Sequence, residues 1–235
     1  MTPAWQSAAL RLFSDLKAVF GDRLRSVVAY GPHLDGQSNA PLTCLALVND
    51  LTLSDLEACA RQAPHWRRAQ IATPLILPHS EFVRSLDAFP LEYGEIIRAH
   101  ARVFGDDPFA GATIVREDLR RAVETQIKSH LLHLREGFIE AGGNPGAVGD
   151  LVASSAAAFT SLLRHVAWLN GAAHTDRVQA ARDGAQAAGL PDHLVGSMIA
   201  LERGAAMPTM DPARLIPEYL AAVEQLARAV DTWRG

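Results

Sequence analysis

The chain has 235 residues, of which 49% are apolar and 20% are charged, and its formal net charge is −4 at pH 7. This composition is typical of globular proteins, and the length allows one large or two small domains with cores of their own. Residues 1–110 contain 10 Lys and Arg against 12 Asp and Glu, and residues 111–235 contain 12 against 14. Because neither half offers the basic surface that nucleic acids select, we expect no nucleic-acid partner.

The cysteines and the apolar segments indicate in which cellular compartment the protein is expected. Cys44 and Cys59 fall on apolar faces of predicted elements, so we expect buried free thiols and a reducing, cytoplasmic environment. The first residues lack the pattern of a signal peptide. The longest apolar run, residues 151–169, is interrupted by Arg164 and His165, and we therefore expect no membrane span.

The first half of the chain alternates helical and strand patterns. Apolar residues at helical spacing predict a first helix, and two apolar runs around a turn predict two strands. A capping-box pattern from Ser54 to Glu57 predicts the start of the next helix, which Pro64 is expected to end. The expected helices are 3–20, 54–64, 80–87 and 91–100, and the expected strands are 25–30, 42–48, 69–77 and 102–104.

From about residue 113 the apolar residues recur only at helical spacing. Long amphipathic helices are expected around Leu119–Phe138 and Val148–Leu169, joined by a glycine-rich connector at 142–146. Shorter helices follow at 176–188 and from Pro191, and the last is expected at 218–233. Short connections between such helices indicate an antiparallel bundle. We therefore predict an α+β fold in which a mixed sheet with flanking helices (residues 1–110) precedes a helical bundle (residues 111–235).

The order strand, Gly31-containing turn, strand resembles the opening of a nucleotidyltransferase of the DNA polymerase β type. Segment 85–109, which ends in Gly-Asp-Asp-Pro-Phe, also resembles stretches of bacterial nucleotidyltransferase-like proteins. The resemblance implies a Gly-Ser pair after the first strand, an Asp-x-Asp pair on the second and a third carboxylate on the next. Here Pro32 replaces the serine, and Leu42 and Cys44 are nearest to the two aspartates.

The absence of these carboxylates bears on whether the protein can bind a metal ion. Nucleotidyl transfer uses divalent metal ions to neutralise phosphate charge, and Mg²⁺ requires oxygen ligands. Aspartates at positions i and i+2 of a strand point to one face, but this face presents Leu42, Cys44 and Ala46. Shifting the alignment by one residue gives Thr43 and Leu45, and residues 71–75 contain no carboxylate. We therefore expect no metal, no cofactor and no catalytic residue of the family type.

Seven residues remain as candidates for ligand binding. Five belong to the loop after the first strand, where a nucleotide would lie, and two glutamates follow on a predicted helix. They are Gly31, Pro32, His33, Asp35, Gly36, Glu92 and Glu95. With His100, the two glutamates are equally compatible with acid–base chemistry and with a solvated helix face. His130, His133 and Glu136 have helical metal spacing without a fourth ligand, and we interpret them as a helix surface.

Three functional hypotheses follow. The chain is a nucleotidyltransferase-like protein that has lost its chemistry and acts by binding or assembly, or it is an active transferase that uses carboxylates such as Asp35 with Glu92 or Glu95. The third is a sensor that holds a nucleotide through the backbone of the Gly31–Gly36 loop. Small residues cover most of the second bundle helix, which favours a homodimer through the helical half. They are Ala153, Ser154, Ser155, Ala156, Ala157, Ala158 and Ser161.

Overall fold

The structure is a computed structural model that describes residues 4–35, 40–173, 176–205 and 212–233. The chain forms two compact units, Met1–Ile114 and Val115–Gly235. The first contains the sheet and the second is helical.

The first unit is built around a four-stranded mixed sheet with the strand order β3-β2-β1-β4. Strand β1 is antiparallel to both neighbours, and β2 and β3 are parallel. The predicted α+β fold is confirmed. The elements are α1 (Ala4–Phe20), β1 (Leu24–Tyr30), β2 (Thr43–Val48), α2 (Leu53–Arg68), β3 (Leu75–Pro78), α3 (His79–Arg84), α4 (Pro90–Arg98) and β4 (His100–Phe104).

Both faces of this sheet are covered, because successive strand residues point to opposite sides. On one face Val27, Ala29 and Cys44 pack against α1 and α2. On the other face Val28 and Leu45 pack against aromatic and aliphatic residues of α3, α4 and the segment after β4. The sheet is thus an interior layer, and its functional groups must lie at the ends of its strands.

Helix α2 differs from the sequence-based prediction at both ends. Its N-cap is Thr52 rather than Ser54, since the Asp55 amide donates to Thr52 Oγ1 (3.3 Å) and the Thr52 amide donates to Asp55 Oδ2 (3.0 Å). Arg23 reinforces this capping box by donating to both Asp55 oxygens at 2.7 and 2.8 Å. Pro64 lies inside the helix, which continues to Arg68 and buries Trp66 in the α1 side of the core.

Strand β3 is shorter than predicted. Residues 69–77 were expected to form one strand, but α2 extends to Arg68 and only a single bridge joins Ile71 to Leu42 before β3 begins at Leu75. Pro74 lacks the amide hydrogen that a ladder requires, so pairing restarts after it. The other elements of the first unit lie within a few residues of their predicted positions.

The second unit consists of helices among its described residues. Helix α6 is central and packs against α5, α7, α8 and α9. It is also the one described helix that is long and apolar enough to cross a membrane, a test that core helices of other proteins pass too. Its packing identifies it as a core helix. The helices are α5 (Arg116–Glu140), α6 (Pro145–Leu169), α7 (Arg177–Ala187), α8 (Asp192–Glu202) and α9 (Pro212–Asp231).

Two expectations for this unit are wrong. Helix α9 begins at Pro212 rather than at 218 and contains Pro217. His130 was interpreted as part of a helix surface, but its ring is half-buried and its Nε2 lies 2.8 Å from the Tyr219 hydroxyl. Helical periodicity placed His130 on α5, but the approach of α9 that buries it is a tertiary contact.

Candidate functional site

The end of β1 has the geometry that a tight strand-to-loop turn requires. Gly31 has a φ of +87°, a conformation that disfavours every residue with a Cβ. A Cβ at Gly31 would also lie 2.9 Å from Thr43 Oγ1, whose hydroxyl donates to the Tyr30 carbonyl at 2.6 Å. Gly31 is therefore required both by its backbone angle and by the close approach of β2.

The candidate loop residues begin with a single turn of 3-10 helix. It spans Pro32–Asp35, and the Leu34 amide donates to the Gly31 carbonyl at 3.1 Å. His33 is half-buried, and its Nε2 atom is buried without a hydrogen-bond partner among the described residues. The Asp35 side chain and Gly36 lie outside the described residues. The turn therefore places one unsatisfied imidazole nitrogen beside the end of β1.

Helix α4 brings one of the two predicted glutamates to this end of the sheet. Burial raises the pKa of the Tyr30 phenol, with further contributions from the Cys44 thiol and the Glu95 carboxylate, so Glu95 lies within electrostatic range of Tyr30. Glu95 is half-buried, whereas Glu92, one turn earlier, is exposed. The structure thus places Glu95 near Tyr30, a residue that the sequence analysis did not single out, and the Gly31 turn with His33 follows Tyr30 directly in the chain.

Tyr30 could have been found from the sequence, as His100 was. Tyr30 is the last residue of a predicted strand and directly precedes the turn glycine, which places it at the end of the strand where a ligand could reach it. His100 pairs with Tyr30 across the β1–β4 ladder, and its Nδ1 lies 3.0 Å from the Ile96 carbonyl. The antiparallel β1–β4 pairing spans 70 residues of sequence, so local patterns do not reveal it.

The two positions nearest to the family's metal-binding aspartates are occupied by buried residues of the core. Leu42 and Cys44 are each 1% exposed and belong to the cluster between the sheet and helices α1 and α2. Burial raises the pKa of the Cys44 thiol to about 12, so the thiol is neutral at physiological pH. In the shifted alignment, Leu45 is equally buried on the opposite face, and Thr43 is committed to the Tyr30 carbonyl.

No group of three or more His, Cys, Asp or Glu side chains that could hold a metal ion occurs among the described residues, which leave out 36–39 and the Asp35 side chain. The groups that do meet at the end of β1 are a glycine turn, an imidazole, a phenol and one carboxylate. Such a set can bind a polar ligand through hydrogen bonds, and Glu95 is its one carboxylate among the described residues.

Comparison with known proteins bears on the fold. No protein-family model matches the chain, and neither does any curated protein. Among solved structures, the chain is similar to the crystal structure of spectinomycin adenyltransferase AAD(9) from Enterococcus faecialis with ATP and spectinomycin. The match has 12% identity and a TM-score of 0.58, and it covers 96% of this chain and 99% of that one. The chain has the nucleotidyltransferase fold. The prediction of a nucleotidyltransferase-like sheet followed by a helical region is confirmed.

Proposed function

We propose that this protein uses the nucleotidyltransferase fold for binding or assembly and does not perform metal-dependent nucleotidyl transfer. The observation that supports the proposal is the burial of Leu42 and Cys44, each 1% exposed, in the core between the sheet and α1–α2. A metal-binding pair would need ionised oxygens at positions open to substrate. These two positions instead contribute apolar surface and a neutral thiol to the core.

The corresponding experiment is an adenylyl-transfer assay. The full chain is incubated with labelled ATP and Mg²⁺ or Mn²⁺, and spectinomycin serves as the first acceptor because ATP and spectinomycin accompany the similar structure. We expect no labelled product above a protein-free control, whereas the similar adenyltransferase serves as the positive control. Metal-dependent transfer that Glu95→Gln abolishes would overturn the proposal.

A second candidate function, nucleotide sensing, is favoured by His33 Nε2, which is buried without a hydrogen-bond partner among the described residues. A buried polar atom without a partner is costly, and a ligand that supplied one would be stabilised. In this case ATP binds at the Gly31 turn without metal. Calorimetric titration with ATP in the presence of a chelator tests it, with His33→Ala expected to weaken binding and the exposed His65→Ala as the matched control. Absence of binding would leave the assembly role.

The third candidate is a transferase that uses Asp35 together with Glu92 or Glu95. Its support is limited to the placement of Glu95 near Tyr30, since Glu92 is exposed. The transfer assay separates it from the other two, because only this candidate requires turnover. Buried free thiols at Cys44 and Cys59 support our proposal of a cytoplasmic location.

A further inference from the structure

A small polar pocket lies at the end of the sheet opposite to the Gly31 turn. Strands β2, β3 and β4 all run opposite to β1, so their carboxyl ends meet near the start of β1. The pocket there has a volume of about 180 Å³, and its polar lining comprises Arg25, Ser26, His79, Asp106 and Asp107. Arg25 precedes Gly31 by about 20 Å along β1, at roughly 3.3 Å per residue. The Arg25 side of the pocket is therefore distant from the Gly31 turn.

The backbone around the pocket contains a β-bulge and a tight glycine turn. Leu24 pairs with Val48 and Ser26 pairs with Leu47, so Arg25 is an extra residue on β1. Such a bulge re-aims the side chain of the residue that it contains. Gly105 has a φ of +77°, and a Cβ there would lie 2.1 Å from the Arg25 carbonyl oxygen. The turn that carries Asp106 and Asp107 is thus held directly against the bulge.

The charged groups around the pocket are not paired with one another. Arg25 and Asp106 make no hydrogen bond or ion pair with any described residue. Asp107 Oδ1 accepts from the Phe109 amide at 2.9 Å and lies 3.6 Å from His100 Nε2, which leaves its other oxygen free to accept. Burial, and then the charge of Arg25, lower the pKa of His79, so its ring is neutral at pH 7. Among the described residues, the pocket therefore presents one guanidinium and two carboxylates that form no ion pair with one another.

The size of the pocket limits its ligand. A volume of 180 Å³ is below the about 300–1,000 Å³ of pockets that enclose drug-sized ligands, so this pocket does not enclose a nucleotide. A matching ligand has few non-hydrogen atoms and carries both charge signs, because the pocket presents both.

We propose that this pocket binds a small free α-amino acid. The ligand carboxylate pairs with the Arg25 guanidinium, whose planar fork suits two oxygens, and accepts from the Ser26 hydroxyl. The ligand ammonium donates to Asp106 and Asp107. This site goes beyond the proposed function, because its ligand and its residues differ from those at the Gly31 turn.

The experiment is a calorimetric titration of the full chain with glycine, alanine and serine. Acetate and methylamine, each carrying one of the two charges, are titrated in parallel. We expect saturable binding of at least one amino acid, and binding of each half-ligand about tenfold or more weaker, since one charged contact is lost. Binding of acetate as tight as that of the amino acids would overturn the zwitterion assignment.

Variants of the lining residues then locate the site. Arg25→Ala and Asp106→Ala should each weaken amino-acid binding about tenfold or more, for the same reason. Arg61→Ala and Asp87→Ala, which change exposed residues away from the pocket, should leave the affinity unchanged. No saturation up to about 10 mM, the range of very weak affinities, would refute the proposal. So would an affinity that neither pocket variant changes, whatever the outcome of the ATP titration.

Discussion

At the scale of single residues, the burial of Cys44 is the main observation against metal binding on β2. Its side chain is 1% exposed, and burial raises the pKa of its thiol to about 12. A carboxylate placed there would lie among apolar neighbours, where it either carries an unpaired charge or takes up a proton. Such a charge is costly to bury without a partner.

Cys44→Asp should therefore destabilise the protein rather than create a metal site. We expect the free energy of unfolding to fall by about 3 kcal/mol or more, against about 1 kcal/mol for Cys44→Ala, which removes only the thiol. Urea unfolding with and without Mn²⁺ measures both variants. If the Cys44→Asp protein were as stable as the parent and Mn²⁺ stabilised it further, a metal ion could bind at this position, and the prediction would be contradicted.

His130 gives the second unit a pH dependence. Burial, with a smaller contribution from His133, lowers the pKa of His130 from its ordinary value of 6.5 to about 4. Its neutral Nε2 can accept from the Tyr219 hydroxyl, and burial raises the pKa of that phenol. Because the folded state prefers the neutral ring, its contribution to stability is complete above pH 6.5 and decreases as the pH falls toward 4.

We expect the NMR titration of the His130 ring to give a pKa of about 4. The associated loss of stability between pH 6.5 and 4 is at most about 3 kcal/mol. His130→Gln, which retains an acceptor but does not titrate, should lack this part of the pH dependence. The exposed His65→Gln, in the other unit, is the control and should retain it. A His130 pKa near 6.5 would contradict the buried geometry.

At the scale of elements, the close packing of α6 and α7 depends on one glycine. A Cβ at Gly184 would lie 1.8 Å from the Leu163 carbonyl oxygen, so the two helix backbones touch there. Backbone atoms cannot move aside as the end of a side chain can. The position therefore accepts no larger residue without separating the helices.

Gly184→Ala should lower the free energy of unfolding by about 3 kcal/mol, the upper part of the usual range for overpacking. Gly196→Ala is the matched control, because Gly196 also lies in a helix but has no atom within 4 Å of its Cβ position. That substitution should be neutral or stabilise by up to about 1 kcal/mol, through helix propensity. Thermal unfolding compares them, and equal effects would refute the close contact.

Sequence patterns located most elements, because buried apolar residues recur every three or four positions in helices and every second position in strands. These patterns failed where contacts between residues distant in sequence determine where an element ends or which side chains lie together. Trp66 is buried against α1 and donates to Asp15 at 2.9 Å, which explains how α2 continues past Pro64. At the candidate site, the Gly31 turn was predictable from its glycine, but the proximity of Glu95 to Tyr30 depends on how α4 packs against the sheet.

At the scale of the whole molecule, the small residues of α6 bear on the oligomeric state. Ala153, Ser154, Ala157 and Ala158 of α6 are exposed, although α6 is otherwise the central helix of its unit. Small side chains allow another helix to approach closely, and homodimers with twofold symmetry are common. We keep the proposal of a homodimer through the helical half.

Light scattering at micromolar concentration should therefore give the mass of a dimer. Ala157→Glu should shift it toward the monomer mass of 25.3 kDa, because the new charge would be buried at the interface. Ala221→Glu, at an exposed position of α9, is the control and should leave the dimer intact. A monomeric parent protein whose mass Ala157→Glu does not change would leave the small residues as ordinary surface.

Calorimetric titration with Mg²⁺ and Mn²⁺ tests most directly whether the end of β1 holds a metal site. The full chain should show no stoichiometric binding at millimolar ion concentration, because the positions of the paired carboxylates are occupied by Leu42 and Cys44. Tight binding of one ion per chain, abolished by Asp35→Ala, would contradict the account and indicate an active transferase.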